Sequence, residues 1–343
     1  MSMNNERYDI LKNIFREKKF FKLVCGAGNE DLTEVRRLAT IYTLAGVSMH
    51  DLSANIDVVE AAKKGIERAY ELAPMLGKKI EIRPYLNVSI GLKGDPHVRK
   101  ATIDRNVCVE CGECVKVCRQ NAITEDYSVM EFKCIGCGDC EKVCPSDAIK
   151  YLHKLADFEN ILPECAKSGV ETMELHAVTA DDGAVMHDWM LLNKIITDNF
   201  ISVCLDRSLL SNRHLIERIK RLYGITGGRM IVQADGVPMS GEGDDYNTTL
   251  QAIACADVVM KSGIPVIVLL SGGTNSKTGL LARQCGVNAH GVAIGSFARK
   301  IVKRYVTMED FDSNIDIMKE AISIAEQLVI SNIEAINGGH QGK

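Results

Sequence analysis

Residues 265–299 read PVIVLLSGGTNSKTGLLARQCGVNAHGVAIGSFAR. Twice in this stretch a short, apolar, β-branched run gives way to glycine and then to a helix. Pro265–Leu270 is a strand candidate, SGGTNSKTG at 271–279 is a turn-rich loop, and Thr278–Cys285 has helical character. Val292–Gly295 is the next strand, and GSFAR at 295–299 leads into the next helix.

The same alternation extends back through the chain. Further strand candidates are Phe21–Cys25, Ser48–Ser53, Ile82–Ile90, Thr172–Val178, Ile201–Leu205 and Met230–Ala234. Helices are expected at Asp31–Ala45, Val58–Ala73, Phe158–Ser168, Ala184–Asp198, Leu209–Tyr223 and Thr248–Lys261. Met308–Ile336 supplies one or two closing helices, and Arg7–Glu17 is placed to cover the bottom of a barrel. Eight strand–helix units outside one interruption predict an α/β fold, a (β/α)8 TIM-like barrel, which typically takes about 250 residues. No GxGxxG follows the first strand, which disfavours an open dinucleotide-binding sheet.

The interruption is residues 97–153. It holds CVECGECVKVCRQNAI at 108–123 and CIGCGDCEKVCPSDAI at 134–149, a repeat in which each copy reads C-x2-C-x2-C-x3-C. This is the run of bacterial two-cluster ferredoxins, whose fourth cysteine serves the other cluster. Cys108, Cys111 and Cys114 are thus expected to bind one [4Fe–4S] cluster with Cys144. Cys134, Cys137 and Cys140 would bind the second with Cys118. Gly112, Gly136 and Gly138 would let the backbone approach the clusters. Zinc sites pair C-x2-C units at longer separations and fit this spacing poorly. Arg119 stands where proline often follows the fourth cysteine, and its charge would favour the reduced form of a nearby cluster.

The expected organisation is a first barrel part at 1–96, an inserted 2[4Fe–4S] ferredoxin domain at 97–153, and a second barrel part at 154–343. In such a barrel the loop after the third strand lies on the C-terminal face, where active sites sit.

Candidate ligand residues gather at the strand ends. Loops after strands seven and eight, with a helix N-terminus, commonly form a phosphate site in these barrels. Ser271, Gly272, Gly273, Thr274 and Asn275 from one loop, and Gly295, Ser296 and Arg299 from the other, are the expected contacts. They look like the phosphate-binding loops of flavin-mononucleotide barrels, so FMN or a small phosphorylated compound is the expected ligand. Glu174 with His176, Cys204 with Asp206, and Gln233 with Asp235 are polar pairs at i and i+2 on strands that should be apolar, which aims them into a wet mouth. Against this, Asp206 is equally suited to cap a helix and His176 to be a satisfied core residue. Cys25, Cys165, Cys204, Cys255 and Cys285 lack metal spacing and read as packed core thiols.

The net charge is −4 with no long basic stripe, which speaks against a nucleic-acid partner. The opening residues, MSMNNERYDILKNIFREKKFF, lack the apolar core of a signal peptide, and the longest apolar run, Ile264–Leu270, is too short for a membrane span. A cytoplasmic protein is expected, and cysteines grouped for clusters suit a reducing compartment.

The segments FKLVCGAGNEDLTEVRRLATIYTLAGVSMHDLSA at 21–54, VQADGVPMSGEGD at 232–244, LLSGGTNSKT at 269–278 and GVAIGSFAR at 291–299 resemble the light-dependent-period (LdpA) family. So does the pair of Cys motifs following DPHVRK at 95–100. The resemblance covers most of the chain and implies an iron–sulfur protein linked to redox sensing in the circadian input of photosynthetic cells. It implies no substrate, and the clock role is not carried over. Two functions are expected to compete. One is an oxidoreductase that passes electrons from a redox partner or reduced ferredoxin through the clusters to a ligand at the barrel mouth. The other is a non-enzymatic redox sensor of the LdpA type.

Overall fold

In the computed structural model, residues 3–26, 28–92, 95, 99–153, 157–237 and 243–338 are described. The motif segments 96–98 and 238–242, and the expected boundaries at 96, 97 and 154, lie outside them.

Eight parallel strands close into a barrel. In chain order they are β1 (Phe20–Val24), β2 (Met49–Ser53), β3 (Tyr85–Gly91), β6 (Thr172–His176), β7 (Ile201–Leu205), β8 (Met230–Asp235), β9 (Ile267–Ser271) and β10 (Gly291–Ile294). Closure comes from β1 pairing with β10, Phe21 opposite Val292 and Lys22 opposite Ala293. The two remaining strands, β4 (Arg99–Ile103) and β5 (Ile149–His153), pair antiparallel and carry the cysteine segments between them. That segment is inserted between the third and fourth barrel strands.

All eight expected barrel strands are present. The third starts three residues late, at Tyr85 and not Ile82, because Pro84 has no N–H to give a neighbouring strand. The helices are α1 (Met3–Arg16), α2 (Leu32–Leu44), α3 (Ile56–Leu72), α4 (Glu113–Val117), α5 (Asp139–Lys142), α6 (Phe158–Lys167), α7 (Asp182–Ile195), α8 (Asn212–Thr226), α9 (Tyr246–Lys261), α10 (Thr278–Gln284), α11 (Ser296–Val306) and α12 (Ile315–Asn337). Their starts follow from side chains that accept first-turn N–H groups: Asp31 for α2, Asn55 for α3, Asp181 for α7, Ser211 for α8, Asp245 for α9 and Asn314 for α12. The α8 start is therefore Ser211–Asn212, three residues after the expected Leu209.

The barrel interior changes character along its axis. At the N-terminal ends Phe20, Met49, Tyr85, Phe200, Ile231 and Leu269 form an apolar plug with Leu11, Ile14 and Phe15 of α1. The first helix thus covers the bottom. Two residues on, the next inward positions are Lys22, Asp51, Asn87, Ser202, Gln233 and Ser271, all buried and all polar. The larger apolar cluster lies outside the strands, between them and the helices.

Candidate functional site

Lys22, Asp51, Asn87 and Ser202 of the polar layer join Glu174, Ser89 and Thr172 in one network of hydrogen bonds and ion pairs. Lys22 Nζ lies 2.6 Å from Glu174 Oε2 and 3.5 Å from Asp51 Oδ2. Ser202 Oγ donates to the same Glu174 Oε2 at 2.8 Å. Asp51 Oδ1 accepts from Asn87 Nδ2 at 2.6 Å and Ser89 Oγ at 2.5 Å, and Asn87 Oδ1 accepts from Thr172 at 2.8 Å. Burial pulls the Lys22 ammonium down, but Asp51 and Glu174 outweigh it and hold it charged. Burial pushes the Glu174 carboxyl up, and Lys22 with His176 outweighs that, keeping it well below the usual carboxylate range.

Above this layer a cavity opens at the C-terminal ends of the strands, the place where ligand sites of such barrels lie. Its inner wall is Glu174, His176, Cys204 and Asp235. Its outer wall is Ser271, Gly272, Gly273, Thr274, Gly295, Ser296 and Arg299. Gly26 and Gly28 complete one side, and Ile135 of the cysteine segment reaches in from above.

The outer wall has the features of an anion cradle. Gly272 and Gly273 adopt φ of 66° and 73°, and a Cβ at Gly272 would strike the Asp235 carboxylate 1.4 Å away. Gly295 begins α11 without any side-chain cap, so the first N–H groups of that helix face the cavity end. Arg299 is 9% exposed, and its Nε and Nη1 have no hydrogen-bond partner among the described residues. A buried guanidinium is costly unless it is paired, so its place on the cavity wall asks for an anion.

Several expected contacts sit elsewhere. Asn275 is fully buried but spends its amide on the carbonyls of Gly243 and Asp245, at 3.0 and 2.7 Å, bracing the 271–279 loop against the start of α9. Thr274 reaches the wall, but its hydroxyl donates to Ala293 O at 2.6 Å. Asp206 is off the wall and accepts from Ser208 N and Oγ, capping a turn. Gln233 lies beneath the wall, with both amide atoms unpartnered among the described residues. Cys204, read from sequence both as a mouth-facing partner of Asp206 and as a core thiol, is a wall residue whose Sγ lies 3.0 Å from Asp235 Oδ2. Burial first, and Asp235 second, push that thiol well up, so it stays protonated. Cys285 is exposed at the end of the short α10, and not a core thiol.

The cysteine segment folds as two matching halves. Asn121 and Asp147 occupy equivalent repeat positions and share φ of 50° and 53°; Gly112 and Gly138 share 78° and 88°. Ala122 N donates to Cys118 Sγ, and Ala148 N to Cys144 Sγ, each at 3.2 Å. One cavity is lined by Cys108, Cys111, Cys114 and Cys144. A second is lined by Cys118, Cys134, Cys137 and Cys140. Each gathers three cysteines from one motif and the fourth from the other, and four soft sulfur donors around a common space suit an iron–sulfur cubane. Arg119 pairs with Asp139, so its charge is offset and not delivered alone to the neighbouring cavity.

Sequence comparison agrees. The 4Fe-4S binding domain model matches residues 101–124 and 127–150, and the Light dependent period A C-terminal domain model matches 165–331. Light dependent period A of Synechococcus elongatus is 30% identical over 334 residues, which are 93% of this chain and 92% of that protein. The chain belongs to the light dependent period A family. It is an LdpA-family iron–sulfur protein built on a TIM-like barrel. Among solved structures it aligns with the tryptophan synthase alpha chain of Legionella pneumophila, at 10% identity, TM-score 0.48 and full coverage of both chains. The YdjI aldolase of Escherichia coli K12 aligns at 9% identity and TM-score 0.47, over 95% of this chain and 94% of that one. Likenesses this low carry nothing about the LdpA-family site. Among the described residues no helix is long and apolar enough to cross a membrane.

The site residues that sequence missed are Lys22, Asp51 and Asp95. Asp95 is 1% exposed, with Oδ2 3.4 Å from His176 Nδ1. The signal available for Lys22 and Asp51 was the i, i+2 step from apolar to polar, Phe20 to Lys22 and Met49 to Asp51.

Proposed function

We infer that this chain is a redox protein in which two [4Fe–4S] clusters exchange electrons with an anionic ligand held at the barrel mouth. The observation that carries the reading is Ile135. It lies between Cys134 and Gly136, and it lines both the cavity of Cys118, Cys134, Cys137 and Cys140 and the cavity that holds Arg299 and Gly273. The nearer cysteine cavity and the ligand cavity therefore share one residue as a common wall.

Cys108, Cys111, Cys114 and Cys144 would hold the outer cluster, and Cys134, Cys137, Cys140 and Cys118 the one nearer the barrel. Bound there, the clusters supply one-electron transfer. The chain's own groups do the rest. Gly272, Gly273, the start of α11 and Arg299 bind the anionic end, as they would a phosphate of FMN or of a phosphorylated metabolite. His176 and Asp235 stand at the inner end, able to position polar groups of the ligand.

The test is anaerobic purification followed by acid release, which destroys the iron–sulfur chromophore and leaves any flavin visible in the supernatant. Flavin near one per chain makes this an iron–sulfur flavoprotein. Without flavin, titration with FMN and with inorganic phosphate, read in wild type and Arg299→Gln, decides whether the anion cradle binds. No binding of either in wild type rejects the ligand site.

A sensor reading is favoured by one contact. Lys100, at the root of the cysteine segment, donates to Gly28 O at 2.5 Å and to Cys134 O at 2.8 Å, tying the mouth of the barrel to the ligand loop of the nearer cluster. Movement at that cluster would be transmitted to Gly28 on the cavity wall. A partner protein bound equally by the oxidised and reduced forms would remove this reading.

A further inference from the structure

The inner wall of the mouth cavity holds a second constellation that the anion cradle does not use. Glu174 and His176 stand on β6 and Cys204 on β7, with His176 directly opposite Cys204 in the strand register. One ligand-type atom from each lies within 4.8 Å of the other two, and all three side chains are buried.

Their surroundings aim them at a common point. Glu174 Oε2 is held by Lys22 Nζ and Ser202 Oγ, which turns Oε1 toward His176 Nε2 at 3.1 Å. Behind the imidazole, Nδ1 faces the Asp95 carboxylate at 3.4 Å, the carboxylate–histidine arrangement that fixes ring orientation in metal sites. Cys204 Sγ points at Asp235 Oδ2 from the neighbouring strand. Cys204 belongs to neither Cys motif, so this sulfur is not needed by a cluster. Four buried carboxylates, Asp51, Asp95, Glu174 and Asp235, outnumber the buried cationic side chains around them, Lys22, His176 and, across the cavity, Arg299, an environment that favours added positive charge.

We propose that Glu174 Oε1, His176 Nε2 and Cys204 Sγ bind one divalent transition-metal cation, with a fourth position open to the cavity. A mixed oxygen, nitrogen and sulfur set with an open position suits zinc. The cation takes the place of the hydrogens on Nε2 and Sγ, which leave to solvent as protons, so that Cys204 binds as the thiolate and His176 as the neutral imidazole. Asp95 and Lys22 then serve as positioning residues for His176 and Glu174. The site stands whether or not the cradle at Gly272 and Arg299 binds an anion. If both are filled, an oxygen of the anchored ligand can occupy the open position.

The experiment uses the anaerobically purified full chain, equilibrated with buffered Zn2+, freed of loose metal on a chelating column, and measured for iron and zinc and by X-ray absorption at the zinc edge. Expected is about one zinc per chain beside about eight irons, with a shell of one sulfur at about 2.3 Å and nitrogen or oxygen at about 2.0–2.1 Å. Zinc retention should fall at least tenfold in Cys204→Ser and His176→Asn while iron content and cluster absorbance stay unchanged. Cys255→Ser, a buried thiol off the cavity, should retain it. The proposal is overturned if wild type retains no zinc, if the shell has four sulfurs and so belongs to the cysteine segment, or if Cys204→Ser retains as much zinc as wild type. The absorption spectrum of wild type decides the matter even if a variant fails to fold.

Discussion

Lys22 on the first barrel strand and Glu174 on the fourth are joined inside the barrel, Nζ to Oε2 at 2.6 Å, with both side chains almost wholly shielded from solvent. Removing one member of such a pair leaves the other charge buried without compensation, at about 3–5 kcal/mol. Lys22→Met should therefore lower the melting temperature by about 5 °C. The double variant Lys22→Met/Glu174→Gln should recover part of that loss, since of the two carboxylates that face Lys22 only Asp51 is then left without its cation. A Lys22→Met protein that melts like wild type would show that the barrel interior admits enough water to solvate Glu174.

The pair also marks the limit of what sequence made legible. The eight strands were readable because each is a short apolar run ended by turn residues, and the cluster cysteines because their spacing is local. Glu174 and His176 stood out as adjacent polar residues on one face. Lys22 did not, because it is a single polar residue flanked by Phe21 and Leu23, and its partner lies 152 positions away. Asp95 is in a connecting segment with no periodicity to mark it. Asn275 looked like a ligand contact because glycine-rich loops expose backbone; only the fold shows its amide turned to Gly243 and Asp245. Cys204 was legible only as two competing readings, half of a polar pair with Asp206 and a packed thiol, since an isolated thiol on a strand is most often core.

On the proposed ligation, the crossed arrangement of cysteines lets each cluster be addressed separately. Cys118, though it belongs to the first motif, lines the cavity nearer the barrel, and Cys144 lines the outer one. Serine at either position would then weaken one ligand of one cluster only. Electron paramagnetic resonance of the reduced protein should thus show the signal of one cluster altered in Cys118→Ser and that of the other in Cys144→Ser. Adding a ligand that fills the barrel mouth should perturb the cluster spectrum of Cys144→Ser, which keeps the nearer site intact, and leave that of Cys118→Ser unresponsive. The opposite pattern would mean that each motif holds its own four-cysteine site.

Arg299 and Gly272 test the anion cradle from two sides. Arg299→Gln removes the charge but keeps hydrogen-bonding capacity, and a charge-assisted bond of about 1.5–3 kcal/mol predicts at least tenfold weaker binding of FMN or inorganic phosphate. Gly272→Ala keeps the charge but forces a methyl against Asp235 at a position with φ of 66°, so it should weaken binding and also lower stability by about 1–3 kcal/mol. Calorimetric titration with cluster content measured in parallel separates a binding defect from a general one. Equal affinity in wild type and Arg299→Gln would place any anion elsewhere.

Asp312 makes a prediction about acid. Its carboxylate accepts from Arg36 at 2.7 and 2.8 Å and from Arg37 at 2.8 and 3.1 Å, clamping α2 to the turn before α12. The hydrogen bonds from Arg36 lead the causes that hold its pKa at about 2. The unfolded chain has the ordinary value of about 3.9. A folded pKa below the unfolded one gives stability that is complete above about 4 and is lost as pH falls toward 2. Because the carboxylate is 38% exposed, solvent screening keeps the contribution to about 1 kcal/mol or less. The melting-temperature difference between wild type and Asp312→Asn should then be small, of constant sign, and level across pH 5–8, a range that spares the clusters from acid. A difference that shrinks between pH 7 and 5 would mean the carboxylate titrates far higher, and that the two arginines do not clamp it in solution.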